Sequence, residues 1–260
     1  MKRHWISIGL LATMCGSAQA APFFFSTGNP DGQLAAASRP PSAGALEIEA
    51  ADDFVLPLQT TIHSATFTGL LPSAAPISSI QEVVVEIYRV FPLDSTLPPS
   101  GNVPTRVNSP SDVAFALRDS ANNSVGFTFS VLNPSFAAAN SVLNGINPSP
   151  NQFTGGEGGV SGEEGAFSAT FPTPIVLPAG HYFFVPQVGL SSGNFYWLSA
   201  PKPIVSPGTP FTGDLQAWIR NANLAPDWLR IGTDIVGGAQ NLVFSISGED
   251  DRIFGDGFGG

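Results

Sequence analysis

The chain has 260 residues, of which 28 are glycine and 24 are proline, and a formal net charge of −10 at pH 7. Charged residues make up 12% of the sequence, against about 25% in an ordinary globular protein, so uncharged polar residues must cover most of the surface. The acidic balance excludes nucleic acid and anionic membrane surfaces as expected partners, because both would repel the protein.

Residues 1–20 have the composition of a cleaved secretory signal peptide. Lys2 and Arg3 supply the positive start, residues 5–15 form a short apolar stretch, and residues 18–20 (Ala-Gln-Ala) form a small-x-small cleavage site. The apolar stretch is shorter than the ~20 residues of a spanning helix, so we expect no transmembrane segment in the mature chain. We therefore expect a secreted protein that is extracellular, at the cell surface or periplasmic.

Cys15 is the only cysteine of the chain. A lipoprotein signal would attach lipid to this residue, but Met14 stands where such a signal has a small residue. Cleavage before Ala21 removes two basic residues, which leaves 8 basic and 20 acidic residues and a formal charge of −12. A cysteine-free exported domain must be held together by core burial or by a bound ion, and the lack of disulfides favours bacterial export.

Residues 21–45 are rich in Gly, Pro, Ser and Ala, and we predict a flexible N-terminal lead there. Residues 46–248 are predicted to form one all-β domain, because glycine and proline are too frequent for long helices. Short alternating runs between turn clusters favour an antiparallel β-sandwich, jelly-roll-like, with about ten strands and long Gly/Pro-rich loops. The predicted strands lie near residues 46–50, 60–68, 80–90, 125–131, 167–171, 181–188, 195–198, 215–220, 228–231 and 242–246.

The unbroken apolar run within residues 80–90 predicts a strand that is covered on both faces. Residues 92–111 are rich in proline and predict a long extended excursion, and residues 144–165 predict a flexible acidic loop. Ser135 to Leu143, with three consecutive alanines, is the only stretch predicted to form a helical turn or two. Residues 249–260 are predicted to be a short C-terminal tail.

Four motifs resemble a group of uncharacterised exported bacterial β-sandwich proteins whose members carry different C-terminal sorting or anchoring tails. The motifs are ADDFVL at 51–56, IYRVFP at 87–92, TRVNSPSD at 105–112 and LPAGHYFF at 177–184. The resemblance covers roughly residues 46–248 and implies an exported β-sandwich, but it implies no activity. Residues 251–258 are also similar to a short tail of some exported proteobacterial proteins, with a final edge strand as the alternative.

Two glycine motifs suggest chemistry that their context does not support. Residues 189–193 (GLSSG) match the nucleophile elbow of a hydrolase, but no histidine follows Ser191, and a turn between strands explains the match. Residues 255–260 (GDGFGG) match a dinucleotide fingerprint, but no helix can follow them to bind a pyrophosphate. The sequence therefore predicts no catalytic residue from these motifs.

Calcium is the metal that the composition favours, because the mature chain has two histidines and no cysteine to hold zinc. If the first and last strands of the sandwich are neighbours, Asp52 and Asp53 would approach Glu249 and Asp250. These four acids form a candidate calcium site, and the alternative is that they are solvated acids at strand ends.

Glu157, Glu163 and Glu164 are candidates for the carboxylate pair of a glycoside hydrolase. They lie in the predicted glycine-rich loop, which would fix no spacing between them. Two adjacent glutamates would also project to opposite sides of an extended chain. The alternative is a solvated acidic loop.

An aromatic cluster is the candidate ligand site. The motif Trp-x-Arg occurs twice, ten residues apart, and each tryptophan shares a strand face with its arginine. If this face is exposed, its indole rings and polar neighbours could bind a sugar and emit red-shifted fluorescence; if it faces inward, the arginines reach the rim of the core. The residues of this site are Trp197, Trp218, Arg220, Trp228, Arg230, Asp214 and Asp227.

His181 and Tyr182 are expected to be strand residues at the margin of the core. Taken together, the sequence favours an exported non-enzymatic β-sandwich protein that is structural or binds at a surface. Its expected partner is an extracellular glycan or a cell-surface component. The alternative is a jelly-roll hydrolase or a carbohydrate-binding protein that acts on an extracellular polysaccharide.

Overall fold

The computed structural model describes residues 20–42, 44–73, 77–143, 146, 153–201 and 214–251. Within these residues the chain is nearly all β and forms fifteen strands, with short 3₁₀ turns at Ile77–Ser79 and Ser120–Asn122 and one π-helical turn at Ile231–Val236. The strands are β1 (Ala21–Ser26), β2 (Leu34–Ala37), β3 (Ile48–Leu56), β4 (Thr60–Leu71), β5 (Ile80–Val90), β6 (Pro110–Asp119), β7 (Gly126–Ala138), β8 (Asn140–Val142), β9 (Val160–Leu177), β10 (Gly180–Leu190), β11 (Tyr196–Ala200), β12 (Trp218–Asn221), β13 (Leu229–Arg230), β14 (Asn241–Leu242) and β15 (Phe244–Asp250).

The described strands form two sheets. The nine-stranded sheet has the order β1-β15-β4-β11-β2-β8, with β14 paired to β11, β9 paired to β4, and β7 paired to β9. The six-stranded sheet has the order β13-β12-β3-β10-β5-β6. The pairs are antiparallel except for β2 and β8, which run parallel. This arrangement confirms the predicted all-β class.

The two sheets face each other across one large hydrophobic core. Phe184 of β10 stacks on Phe244 of β15 with ring centroids 5.1 Å apart, and Phe67 of β4 stacks on Phe167 of β9 at 4.9 Å. Phe54 of β3 also meets Phe244 edge-on at 6.3 Å. Since successive strand residues point to opposite sides, these phenylalanines lie inside, while neighbours such as Thr66 and Ser245 lie on the outer face of the nine-stranded sheet.

A second apolar layer covers the outer face of the six-stranded sheet. It contains Tyr88 and Val90 of β5. The same strand also places Val83 and Val85 in the core between the sheets. The structure therefore agrees with the prediction that residues 80–90 are covered on both faces.

The proline-rich excursion after β5 forms part of this cover. Arg106 forms a salt bridge with Asp227, with Nη1 2.9 Å from Oδ1 and both side chains buried. The backbone N–H of Ser100 donates to Oδ2 of the same aspartate at 3.0 Å. The excursion is thus fastened by buried polar contacts to the segment that precedes β13.

The structure differs from the sequence-based expectations in four places. Residues 21–45 were predicted to be a flexible lead, but they contain β1 and β2. Ser135 to Leu143 was predicted to be helical, but it contributes to β7 and β8, because pairing with β9 and β2 overrides the helix propensity of alanine. The predicted loop 144–165 includes the start of β9 at Val160, and the predicted tail includes the end of β15.

The predicted signal peptide, apart from Ala20, and residues 252–260 lie outside the described residues. Within the described part of the chain, no helix is long and apolar enough to cross a membrane.

Candidate functional site

The three tryptophans of the predicted ligand site are buried. Trp197, Trp218 and Trp228 are each at most 1% exposed. Their indole N–H groups donate to the backbone oxygens of Val243 at 2.7 Å, Leu215 at 3.1 Å and Ser111 at 3.1 Å, respectively. The tryptophans therefore form no exposed strip: Trp197 lies in the core between the sheets, and Trp218 and Trp228 lie in the second apolar layer.

The two arginines of the motif stack on tryptophans of the neighbouring strand. The guanidinium of Arg220 lies 4.3 Å from the ring centroid of Trp228, and that of Arg230 lies 6.0 Å from Trp218. Arg230 also forms a salt bridge with Asp234, at 2.6 Å. The polar members separate: Asp227 binds Arg106, whereas Asp214 accepts a hydrogen bond from the side chain of Asn241.

A buried glutamate cluster lies on the outer face of the six-stranded sheet. It consists of Glu49 of β3, Glu86 and Tyr88 of β5, and Arg220 of β12. The Tyr88 hydroxyl lies 2.7 Å from Glu49 Oε1 and 3.1 Å from Glu86 Oε2, and it accepts a hydrogen bond from Arg220 Nη2 at 3.1 Å. Arg220 also binds both carboxylate oxygens of Glu49.

The cluster holds a proton at neutral pH. Burial, followed by repulsion from Glu49, raises the pKa of Glu86 to about 8. The protonated carboxyl of Glu86 can then donate to the Glu49 carboxylate. The two glutamates are only 4% and 8% exposed, and their oxygens are bonded to Arg220 and Tyr88, so a substrate would have to displace these contacts to reach them.

The predicted calcium ligands are not brought together. Asp52 and Asp53 lie on β3 of the six-stranded sheet, whereas Glu249 and Asp250 lie on β15 of the nine-stranded sheet and pair with β1 and β4. Among the residues that the structure describes, no three His, Cys, Asp or Glu side chains are grouped so that they could hold a metal ion. The four acids are apart because their strands belong to different sheets: β15 pairs with β1 and β4, whereas β3 lies in the six-stranded sheet.

Asp53 instead pairs with His181. The His181 Nε2 atom lies 2.5 Å from Asp53 Oδ2, and the backbone N–H of Leu215 donates to Asp53 Oδ1 at 3.0 Å. Both side chains are buried, so His181 and its neighbour Tyr182, which is 1% exposed, lie deeper than the expected core margin.

The three candidate glutamates of the predicted acidic loop do not share one site. Glu157 is exposed, and its carboxylate accepts a hydrogen bond from the backbone of Leu143 at 2.8 Å. Glu163 and Glu164 are adjacent on β9 and therefore project to opposite faces of the strand. The serine motif at residues 189–193 joins β10 to β11, and no helix follows it, so the nucleophile elbow is not formed.

An open groove lies on the outer face of the nine-stranded sheet. We call it the outer groove, and its volume is about 400 Å³. Strand alternation explains its polar floor: Phe67 and Phe244 point into the core, and Thr66, Thr68 and Ser245 point outward. The lining residues are Phe24, Ser26, Gly28, Asn29, Pro30, Thr66, Thr68, Leu132, Phe136, Glu164, Val243, Phe244 and Ser245.

The outer groove offers both an aromatic ring and hydrogen-bonding groups. Phe24 is 69% exposed, while its neighbours Phe23 and Phe25 pack against the core. The hydroxyl groups of Thr66 and Ser245 lie 2.6 Å apart on the floor. Glu164 is largely buried at one wall, and this burial raises the pKa of its carboxyl group.

The sequence pointed to the outer groove through one residue only, Glu164. Phe24 lies in the segment that was predicted to be a loose lead, and its strand pairs with β15, more than two hundred residues later in the chain. The signal that could have found it is the run of three phenylalanines after the predicted cleavage site, because the middle one must point away from its neighbours in a strand.

No protein-family model matches the chain, and no curated protein matches its sequence. The chemistry of the outer groove is therefore the basis for assigning a function.

Proposed function

We propose that this chain is an exported, non-enzymatic β-sandwich protein that binds a surface ligand in the outer groove. Export is supported by the signal-like composition of residues 1–20. Within the proposal the sandwich is of the jelly-roll type, and the pairing of β1 with β15 supports this because the chain ends are neighbours in that fold. A structural role at the cell surface is compatible with the same fold.

The observation that carries the proposal is the exposed phenylalanine ring beside the hydroxyl-lined floor. An apolar ring face with a few convergent polar groups is the usual composition of a small-ligand site. The mature formal charge of −12 and the carboxylate of Glu164 disfavour an anionic ligand. The ligand class that fits is a neutral extracellular glycan, whose hydroxyl groups can bond to the floor while an apolar ring face packs on Phe24.

The test is a glycan array followed by titration of the best neutral glycan into wild type and Phe24→Ala. We expect the substitution to weaken binding about tenfold or more, as loss of an aromatic contact does at binding sites. Phe153→Ala is the matched control, because Phe153 is 60% exposed but does not line the groove.

Thermal melting of both variants separates binding from folding. Since both side chains are exposed, neither variant should melt much below wild type. Equal affinity of all three proteins, or no bound glycan on the array, would exclude the outer groove as a glycan site.

A further inference from the structure

Three buried oxygen atoms near β3 have no hydrogen-bond partner. They are Asp52 Oδ1, Gln216 Oε1 and Asn241 Oδ1. Asp52 and Asn241 are each 1% exposed, so water does not solvate them. A buried polar atom without a partner destabilises the folded state, and such atoms in a native protein call for an explanation, such as a bound ion.

Hydrogen bonds place the residues that carry these oxygens in one neighbourhood. Asp52 Oδ2 accepts from the backbone N–H of Leu242 at 2.7 Å, and Asn241 directly precedes that residue. The side-chain amide of Asn241 donates to Asp214 Oδ2 at 3.0 Å, and Asp214 Oδ1 accepts from the backbone N–H of Gln216 at 2.9 Å. The side-chain amide of Asn241 that contacts Asp214 through its nitrogen therefore also carries the unpartnered oxygen Oδ1.

The neighbourhood is acidic, since Asp53 and Asp214 both lie close enough to repel Asp52. Within the described part of the chain, neither Asp52 nor Asp214 forms a salt bridge, and the nearby His181 is paired with Asp53. The carboxyl groups of Asp52 and Asp214 therefore lie beside the amide side chain of Asn241, and the backbone of Gln216 contacts Asp214.

We propose that a calcium ion binds between Asp52 and Asp214, with the amide oxygens of Asn241 and Gln216 as further ligands. Calcium accepts carboxylate, amide and water oxygens in flexible geometry, so two carboxylates suffice where amides complete the shell. The ion supplies the partner that the three orphaned oxygens lack and offsets the repulsion between the acids. This site shares only Asp52 with the four acids that the sequence suggested, and it does not depend on the outer groove.

The experiment is a calorimetric titration of CaCl₂ into the purified protein after treatment with EDTA. Wild type should bind one ion saturably, and Asp52→Asn should weaken that binding at least about tenfold, since calcium affinity follows the number of charged ligands. Glu249→Gln is the control, because Glu249 is exposed on the other sheet and should leave the affinity unchanged. If Asp52→Asn does not fold, Asp214→Asn replaces it and should weaken calcium binding in the same way.

Thermal melting separates this site from the outer groove. Calcium should raise the melting temperature of wild type and of Phe24→Ala equally, since the groove is elsewhere. Absence of saturable heat, or binding that Glu249→Gln abolishes and Asp52→Asn preserves, would overturn the proposal.

Discussion

Burial decides the charge of individual side chains on the outer face of the six-stranded sheet. Glu49 stays paired with Arg220, whereas Glu86 lies in the same enclosed space without a cation of its own. Two carboxylates this close cannot both ionise cheaply, so the proton remains on Glu86 up to a pH of about 8. Tyr88 lies within hydrogen-bonding distance of both groups and fixes their separation.

This proton makes the stability of the fold dependent on pH. The pKa of Glu86 rises from about 4.5 in the unfolded chain to about 8 in the folded protein, so the folded state binds more protons between these values. The stabilisation is fully present at low pH and is lost as the pH rises through 8. Glu86→Gln removes the titrating group, and we expect the variant to exceed wild type in stability at pH 9 by on the order of a few kcal/mol.

Urea unfolding of wild type and Glu86→Gln between pH 5 and pH 9 measures this effect. The curve of the variant should be flatter, and the two curves should converge towards pH 5. Glu249→Gln serves as the control, because its exposed position should leave the pH profile of wild type unchanged. Parallel curves for wild type and Glu86→Gln would show that Glu86 is ionised throughout.

At the scale of elements, local alternation predicted most strands, because the pattern is encoded within each strand. Phe127 and Phe129 of β7 point to the core and alternate with small polar residues, as their spacing indicated. The strands that the sequence analysis missed are paired with segments that lie far away in the chain. Ala137 is paired with Ser161 of β9, and nothing in its own alanine-rich surroundings reveals that partner.

In the predicted aromatic ligand site, too, local spacing predicted one feature correctly, while another depends on a distant segment. The spacing of Trp218 and Arg220 correctly placed both side chains on one strand face. Whether that face is exposed depends on the excursion of residues 92–111, which approaches it through the pair Arg106–Asp227. No periodicity within a strand can report a cover that comes from another part of the chain, so the burial of the tryptophans was left open.

Close approach between β4 and β11 requires a glycine at position 69. A Cβ atom there would lie 2.2 Å from the ring of Phe195 and 2.4 Å from the carbonyl oxygen of Tyr196. Phe195 is fully buried and cannot move aside without disturbing the core. We expect Gly69→Ala to reduce the free energy of unfolding by about 1–3 kcal/mol, the usual cost of overpacking.

Gly126→Ala is the matched control in another strand of the same sheet. Its Cβ would meet nothing closer than a carbonyl oxygen at 4.0 Å, so only the backbone entropy of glycine is removed. We expect stability within about 0.5 kcal/mol of wild type or slightly above it. Urea denaturation compares the two variants, and equal effects would contradict the close packing of β4 on β11.

At the scale of the whole molecule, the chain stabilises a disulfide-free sandwich by adding buried apolar layers outside the core between the sheets. The core between the sheets is joined by a second apolar layer that contains Trp218 and Trp228 beneath the excursion. The opposite outer face, on the nine-stranded sheet, keeps the open groove with Phe24. A smaller apolar cluster with Leu70, Leu198 and Val243 covers part of that face, and the outer groove beside it stays open to a ligand.

Burial of the tryptophans predicts the fluorescence of a protein that begins at Ala21. Its tryptophans are Trp197, Trp218 and Trp228, all buried, so we expect blue-shifted emission and little quenching by acrylamide. The exposed arrangement considered from the sequence predicts red-shifted emission instead. The outer groove is lined by phenylalanine and no tryptophan, so a glycan that binds there should leave the emission unchanged.

Emission spectra of the folded protein, with and without a glycan that binds by calorimetry, test this prediction. Unfolding in guanidinium chloride provides the internal reference, because it exposes all three indole rings to water and must shift the emission to the red. A folded spectrum that already matches the unfolded one would show that the second apolar layer does not cover the tryptophans. A glycan-dependent change would place the ligand on the six-stranded sheet, and the binding site would then have to be sought beneath the excursion, since that is where two of the three rings lie.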